Sequence, residues 1–159
     1  MNIIIGADHG GVRLKADIMT YLESRGHSVR NMGVDTEESV DYPDVASRTC
    51  AEFMRGDYDF GILVCGTGLG VSIAANKIHG IRCGQIFDTY TAVKARAHNN
   101  ANFIAFGGRN TYHTAVTGMI ETYMSTEFEG GRHGRRVGKI TELEKSAGTA
   151  AGPADSPGS

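Results

Sequence analysis

A chain of 159 residues fits one domain, long enough to bury a real hydrophobic core. Its 40% apolar and 21% charged residues are globular values, and a net charge of −2 excludes a protein that coats polyanions. Any anion it binds must be held by a few placed cations.

The first residues lack the basic leader and apolar core of a signal peptide, and no stretch approaches the ~20 apolar residues of a membrane span. Asn2–Gly6 reads as a strand buried on both faces, because its apolar residues run on without alternating. Gly10–Arg25 follows as a helix, with Leu14, Ile18 and Leu22 on one face. His27–Met32 reads as a second strand and the turn-rich segment from Gly33 as a loop. Pro43 then opens a helix through Arg55.

Phe60–Cys65 is the clearest strand in the chain. It leads into Gly66-Thr67-Gly68-Leu69-Gly70 and a helix over Val71–Ile78. Ile81–Phe87 is a fourth strand, Thr89–His98 a helix and Asn102–Phe106 a fifth strand. Helices over Thr111–Met124 and Arg135–Lys145 follow. From Ser146 to Ser159 there is no large apolar side chain, so the domain is expected over 1–145 and a disordered tail after it. Strands alternating with helices imply an α/β fold, a Rossmann-like, doubly wound sheet of about five parallel strands with a C-terminal helical arm. Ligands in such sheets bind beyond the carboxyl ends of the strands.

Three of the chemistry-bearing segments fall at those ends: Gly6–Gly11 with Asp8 and His9, Cys65–Gly70, and Gly107-Gly108-Arg109. Alternating glycines in Cys65–Gly70 let backbone amides converge on one point, and the following helix adds its positive end, so the loop suits a phosphate or a developing oxyanion. As a dinucleotide fingerprint it is poor: the pattern is G-x-G-x-G and it follows the third strand. Asp88 nonetheless keeps a nucleotide-binding module open as an alternative.

Cys65, beside helix N-terminal amides, is placed to favour the thiolate, whereas Cys50 within a helix and Cys83 within a strand read as small buried hydrophobes. Three cysteines, odd in number and far apart, offer neither a disulfide framework nor a zinc pair, and the cytoplasm is the expected compartment. Asp8 reads equally as a helix cap or a functional acid. His98-Asn99 reads as a helix C-terminus. Arg132 and Arg136 lie four apart and on a helix would share one face, able to clamp one phosphate. No His, Asp and Glu show metal-ligand spacing.

Together these segments resemble the ribose-5-phosphate isomerase B family, within a wider group that includes galactose-6-phosphate isomerase subunits. The matching pieces are G-A-D-H-G-G at Gly6–Gly11, S-V-D-Y-P-D at Ser39–Asp44 and C-G-T-G-L-G-V-S-I-A-A-N-K at Cys65–Lys77. A-R-A-H-N-N-A-N at Ala95–Asn102, F-G-G-R at Phe106–Arg109 and G-G-R-H-G-R-R-V at Gly130–Val137 complete the set.

The resemblance implies a cofactor-independent aldose–ketose isomerase of the pentose phosphate pathway, acting on ribose 5-phosphate and ribulose 5-phosphate. It also implies a homodimer, in some members a tetramer, with each active site at the subunit interface. Cys65 would be the base that moves a proton between C2 and C1. An apolar Val71, where a subset of the family has a glutamate base, marks the cysteine type.

By the same resemblance Thr67 and the amides of Gly66, Gly68, Leu69 and Gly70 would hold the enediolate oxygens. His98 would open the furanose ring, Asp8 and Asn99 would bind hydroxyls, and His9, Arg132 and Arg136 with Arg109 would grip the phosphate. No metal, nucleic acid or membrane is implied. A six-carbon sugar phosphate, of allose or galactose, is the alternative substrate.

Overall fold

A computed structural model describes residues 1–150, with side chains through Ser146. The strands are β1 (Asn2–Ala7), β2 (Ser28–Asn31), β3 (Phe60–Cys65), β4 (Cys83–Gln85) and β5 (Phe103–Gly107). The helices are α1 (Val12–Ser24), α2 (Tyr42–Arg55), α3 (Leu69–Ala75), α4 (Thr89–Ala97), α5 (Val116–Ser125) and α6 (Gly131–Ala150). All strand pairs are parallel, in the order β2-β1-β3-β5-β4. The chain winds one way from β1 to β2 and the other way from β3 onward. The crevice of this sheet therefore opens above the carboxyl ends of β1 and β3.

Both faces of the sheet are covered, which is why β1, β3 and β5 are apolar without alternation. Ile3, Ile5, Phe60, Ile62, Val64, Ile104 and Phe106 point to the face that carries α1, α4 and α5. Ile4, Leu63, Cys65, Phe103 and Ala105 point to the face that carries α2 and α3. Cys65 is thus the last residue of a fully buried strand, on the α2/α3 side. No helix among the described residues is long and apolar enough to cross a membrane.

Several boundaries differ from those expected. β4 spans only Cys83–Gln85, because it is an edge strand with β5 as its one neighbour. α3 starts at Leu69, after Gly68 turns the backbone into the left-handed region at φ +79°. α5 starts at Val116 and not at Thr111. The segment before it is spent on bracing: the Tyr112 hydroxyl accepts from Gly107 N–H at 2.7 Å.

α6 starts at Gly131 and runs through Ala150, so the helix overruns the expected tail boundary at Ser146. Residues 146–150 read S-A-G-T-A and carry no apolar period, so the hydrophobic pattern cannot reveal the extension. The rest of the expected tail, 151–159, lies outside the described residues.

Candidate active site

Cys65 is 5% exposed, and its sulfur accepts a hydrogen bond from Gly68 N–H at 3.1 Å. The loop that makes this contact is tied down from every side. Gly108 N–H donates to Cys65 C=O at 2.7 Å and Arg109 N–H to Gly66 C=O at 3.0 Å. Thr67 C=O accepts from Gln85 Nε2 at 2.7 Å and from Asn110 Nδ2 at 3.1 Å. The Thr67 hydroxyl accepts from Leu69 N–H at 3.3 Å. A side chain at Gly68 would meet the Phe106 carbonyl carbon at 2.8 Å, so glycine is required there for space as well as for φ. Gln85 and Asn110, which hold the loop's shape, carry no motif signal in the sequence.

Beside this loop stand the residues that follow β1. Asp8 is 5% exposed and its Oδ1 accepts from Gly10 N–H at 2.8 Å, capping a single 3-10 turn over His9–Gly11. Gly10 packs so close to Gly66 that a Cβ would lie 2.9 Å from the Gly66 nitrogen. His9 Nδ1 accepts from Val40 N–H at 3.3 Å, which leaves its ring proton on Nε2, free to donate to an anion. His9 and Arg109 share a cavity of about 340 Å³ with Arg13 and Glu37. Arg13 and Glu37, ion-paired at 2.9 Å, were not singled out by the sequence. Lys15 is 2% exposed and holds the Gly33–Asp41 loop toward this cavity through Asn31, Val34 C=O and Asp35.

The remaining candidates lie elsewhere. His98 caps the C-terminal end of α4, which leads through Asn99–Asn102 to the start of β5. Cys65 pairs in register with Gly107, at the end of β5. At about 3.3 Å per residue, that strand alone separates the two by about 13 Å. Arg132 and Arg136 sit exposed, four residues apart on α6, beside His133, whose ring stacks on His98. Asn99, also exposed, donates to Lys94 C=O at 3.0 Å. One protomer therefore groups Asp8, His9, Cys65, Gly66, Thr67, Gly68, Leu69, Gly70 and Arg109 at one end. It groups His98, Asn99, Arg132 and Arg136 at the other.

The second group includes two residues with no expected role. The rings of His98 and His133 stack at 3.9 Å with an interplanar angle of 16°. Glu129 Oε2 lies 3.6 Å from His98 Nε2 and 3.4 Å from His133 Nε2. Burial holds the His133 imidazole below the usual histidine range. The charges of His98, Arg132 and Arg136 act the same way and Glu129 opposes them.

Sequence spacing indicated no His/Glu grouping, yet the fold brings donor atoms of His98, Glu129 and His133 within 4.8 Å of one another. Stacked rings aim their lone pairs along parallel lines, not at one point. Lys94 Nζ and Arg132 Nε already stand 3.2 Å from the two Nε2 atoms. This chemistry suits an anion or a shared proton better than a cation.

The other two cysteines are inert. Burial pushes the Cys50 thiol up to about 12 and also raises Cys83. Asp88, the acid that a dinucleotide would need, is engaged instead in capping α4, accepting from Thr91 N–H at 2.7 Å.

The chain matches the family described as ribose/galactose isomerase over residues 3–140. It is 41% identical to the ribose-5-phosphate isomerase B of Escherichia coli, covering 90% of this chain and 96% of that one. It is 42% identical to the D-erythrulose-4-phosphate isomerase of Pectobacterium atrosepticum, covering 91% and 95%. The ribose-5-phosphate isomerase B of Clostridium thermocellum superposes with a TM-score of 0.89 at 46% identity, over 92% of this chain and 99% of that chain. The chain belongs to the ribose/galactose isomerase family.

Proposed function

We propose that this protein interconverts ribose 5-phosphate and ribulose 5-phosphate without a cofactor, in the cytoplasm. The observation that carries the reading is the Cys65 sulfur. It is held on the Gly68 amide at 3.1 Å, above the sheet's crevice, beside a cavity lined by His9 and Arg109.

The reaction begins with ring opening. The bond from C1 to the ring oxygen breaks as that oxygen takes a proton from His98, and the C1 hydroxyl gives its proton to water. The Cys65 thiolate then removes the C2 proton of the aldehyde. Negative charge builds on O1, where the amides of Gly66, Gly68, Leu69 and Gly70 stabilise it. Returning that proton to C1, while the O2 hydrogen passes to O1 by way of the Thr67 hydroxyl, leaves the ketose. Asp8 and Asn99 bind hydroxyls, and His9 and Arg109 with Arg132 and Arg136 fix the phosphate, so the non-reacting end positions the reacting one.

These roles need both groups of residues, and a homodimer supplies them by placing one protomer's His98 end over the partner's Cys65 end. Exposed apolar residues support this. Leu69 (53% exposed) and Ile73 (60% exposed) stand one turn apart on α3, beside the loop, with Phe87 and Tyr90 exposed nearby in the chain.

The four-carbon substrate of the Pectobacterium relative and the six-carbon sugars of the wider family share the same carbonyl chemistry and differ in distance from base to phosphate. A coupled assay should give ribose 5-phosphate a kcat/KM at least about tenfold above a tetrose 4-phosphate and above allose or galactose 6-phosphate. A higher value for either other class would overturn the pentose assignment.

A further inference from the structure

The roles assigned above leave Glu129 and His133 without a task, although the fold invests heavily in them. Consecutive glycines Gly130 and Gly131, both at positive φ, turn the chain from Glu129 into α6. Glu129 N–H is tied to Ala97 C=O at 3.0 Å, which docks this turn against the end of α4. The result is a nearly buried imidazole, His133 at 4% exposure, lying flat against His98. Arg132 Nε donates to His133 Nε2 at 3.2 Å, so that nitrogen keeps its lone pair and the ring is neutral.

Two charged imidazoles could not stack at this distance, and with His133 neutral the ring left to serve as the acid is His98, whose Nε2 faces Lys94 Nζ at 3.2 Å and Glu129 Oε2 at 3.6 Å. The charged groups facing His98 are Lys94 on its own helix and Glu129 on the turn, while Arg132 and Arg136 on α6 act on the His133 ring stacked against it. Of these only the Glu129 carboxylate can accept a hydrogen bond from the ring.

We propose that His133 and Glu129 are positioning residues for His98, the first as the platform that fixes the plane of its ring and the second as the charge that keeps its proton. The proposal rests on the reading of His98 as the ring-opening acid. It extends the acid from one side chain to a three-residue device.

The chemistry of the two substrates separates the steps. Ribose 5-phosphate has a free O4 and closes into a furanose, which must be opened. Ribulose 5-phosphate has its O5 esterified, cannot close such a ring, and presents its C1 hydrogens directly. The test measures turnover of ribose 5-phosphate across pH, and solvent-deuterium incorporation at C1 of ribulose 5-phosphate, in the full-length enzyme.

Glu129→Gln should lower ribose 5-phosphate turnover about tenfold and move the alkaline fall of its pH profile to lower pH. Deuterium incorporation should stay within about twofold of the parent. His133→Ala should show the same split between the two readouts, and His133→Phe, which restores a flat ring, should recover most of the loss. Equal losses on both readouts, or an unmoved alkaline limb in Glu129→Gln, would overturn the proposal. A parent enzyme that fails to turn over ribose 5-phosphate at all would instead sink the functional reading beneath it.

Discussion

Cys65 differs from its two fellow cysteines by position rather than by type. Cys50 and Cys83 are held as thiols by burial, whereas Cys65 ends its strand on a backbone amide. That sulfur accepts the Gly68 N–H at 3.1 Å, and the proposed mechanism places it beside the carbon acid of the sugar. Cys65→Ser should lower turnover by about a thousandfold while circular dichroism and thermal unfolding stay close to the parent. Near-parental turnover would remove the assigned base.

This residue was legible in the sequence because a strand of unbroken apolar residues ended on it, just before three alternating glycines. His133 was not legible. Its burial and its stacking on His98 arise from a turn that joins segments far apart in the chain, and no local pattern records such a contact. Lys15 was hidden for the same reason. It stands beside the apolar stripe of α1, and only the loop it pins explains why a lysine is buried there.

At the scale of elements, the sheet and the order of its helices follow from apolar runs and glycine punctuation, whereas the ends of elements depend on contacts. The start of α5 moved because Tyr112 is used to hold Gly107, and α6 runs on past Leu143, its last large apolar residue, where no hydrophobic period marks its end. The loop after β3 is the element on which the proposed chemistry depends, and its glycines are unequal to others in the fold. Gly68→Ala places a Cβ at φ +79° against the Phe106 and Gly107 backbone. It should destabilise by more than about 1 kcal/mol and lower Tm by at least about 3 °C. Gly118→Ala, within α5 and with nothing inside 4 Å of the added Cβ, should instead raise Tm. Similar behaviour of the two variants in differential scanning calorimetry would show that the loop's geometry is not constrained as described.

For the whole molecule, the sequence offered an inventory of candidate residues but not their division between two ends of the protomer. Nothing in the motifs says that His98, Arg132 and Arg136 fold to one end of the protomer while Cys65, His9 and Arg109 fold to the other. That follows from the direction of α4, which carries the chain back from the carboxyl edge of the sheet to the amino edge. In the proposed homodimer the exposed Leu69 and Ile73 beside the loop acquire a reason, as part of the surface that meets the second copy.

The most direct measurement mixes two inactive proteins, Cys65→Ala and His98→Asn, after dissociating and reassociating their subunits. In a mixed dimer one site inherits both intact residues and the other neither. Random association should therefore restore about a quarter of parental activity on ribose 5-phosphate. A mixture no more active than its two components would contradict the account, because it would require Cys65 and His98 to serve the same protomer's site.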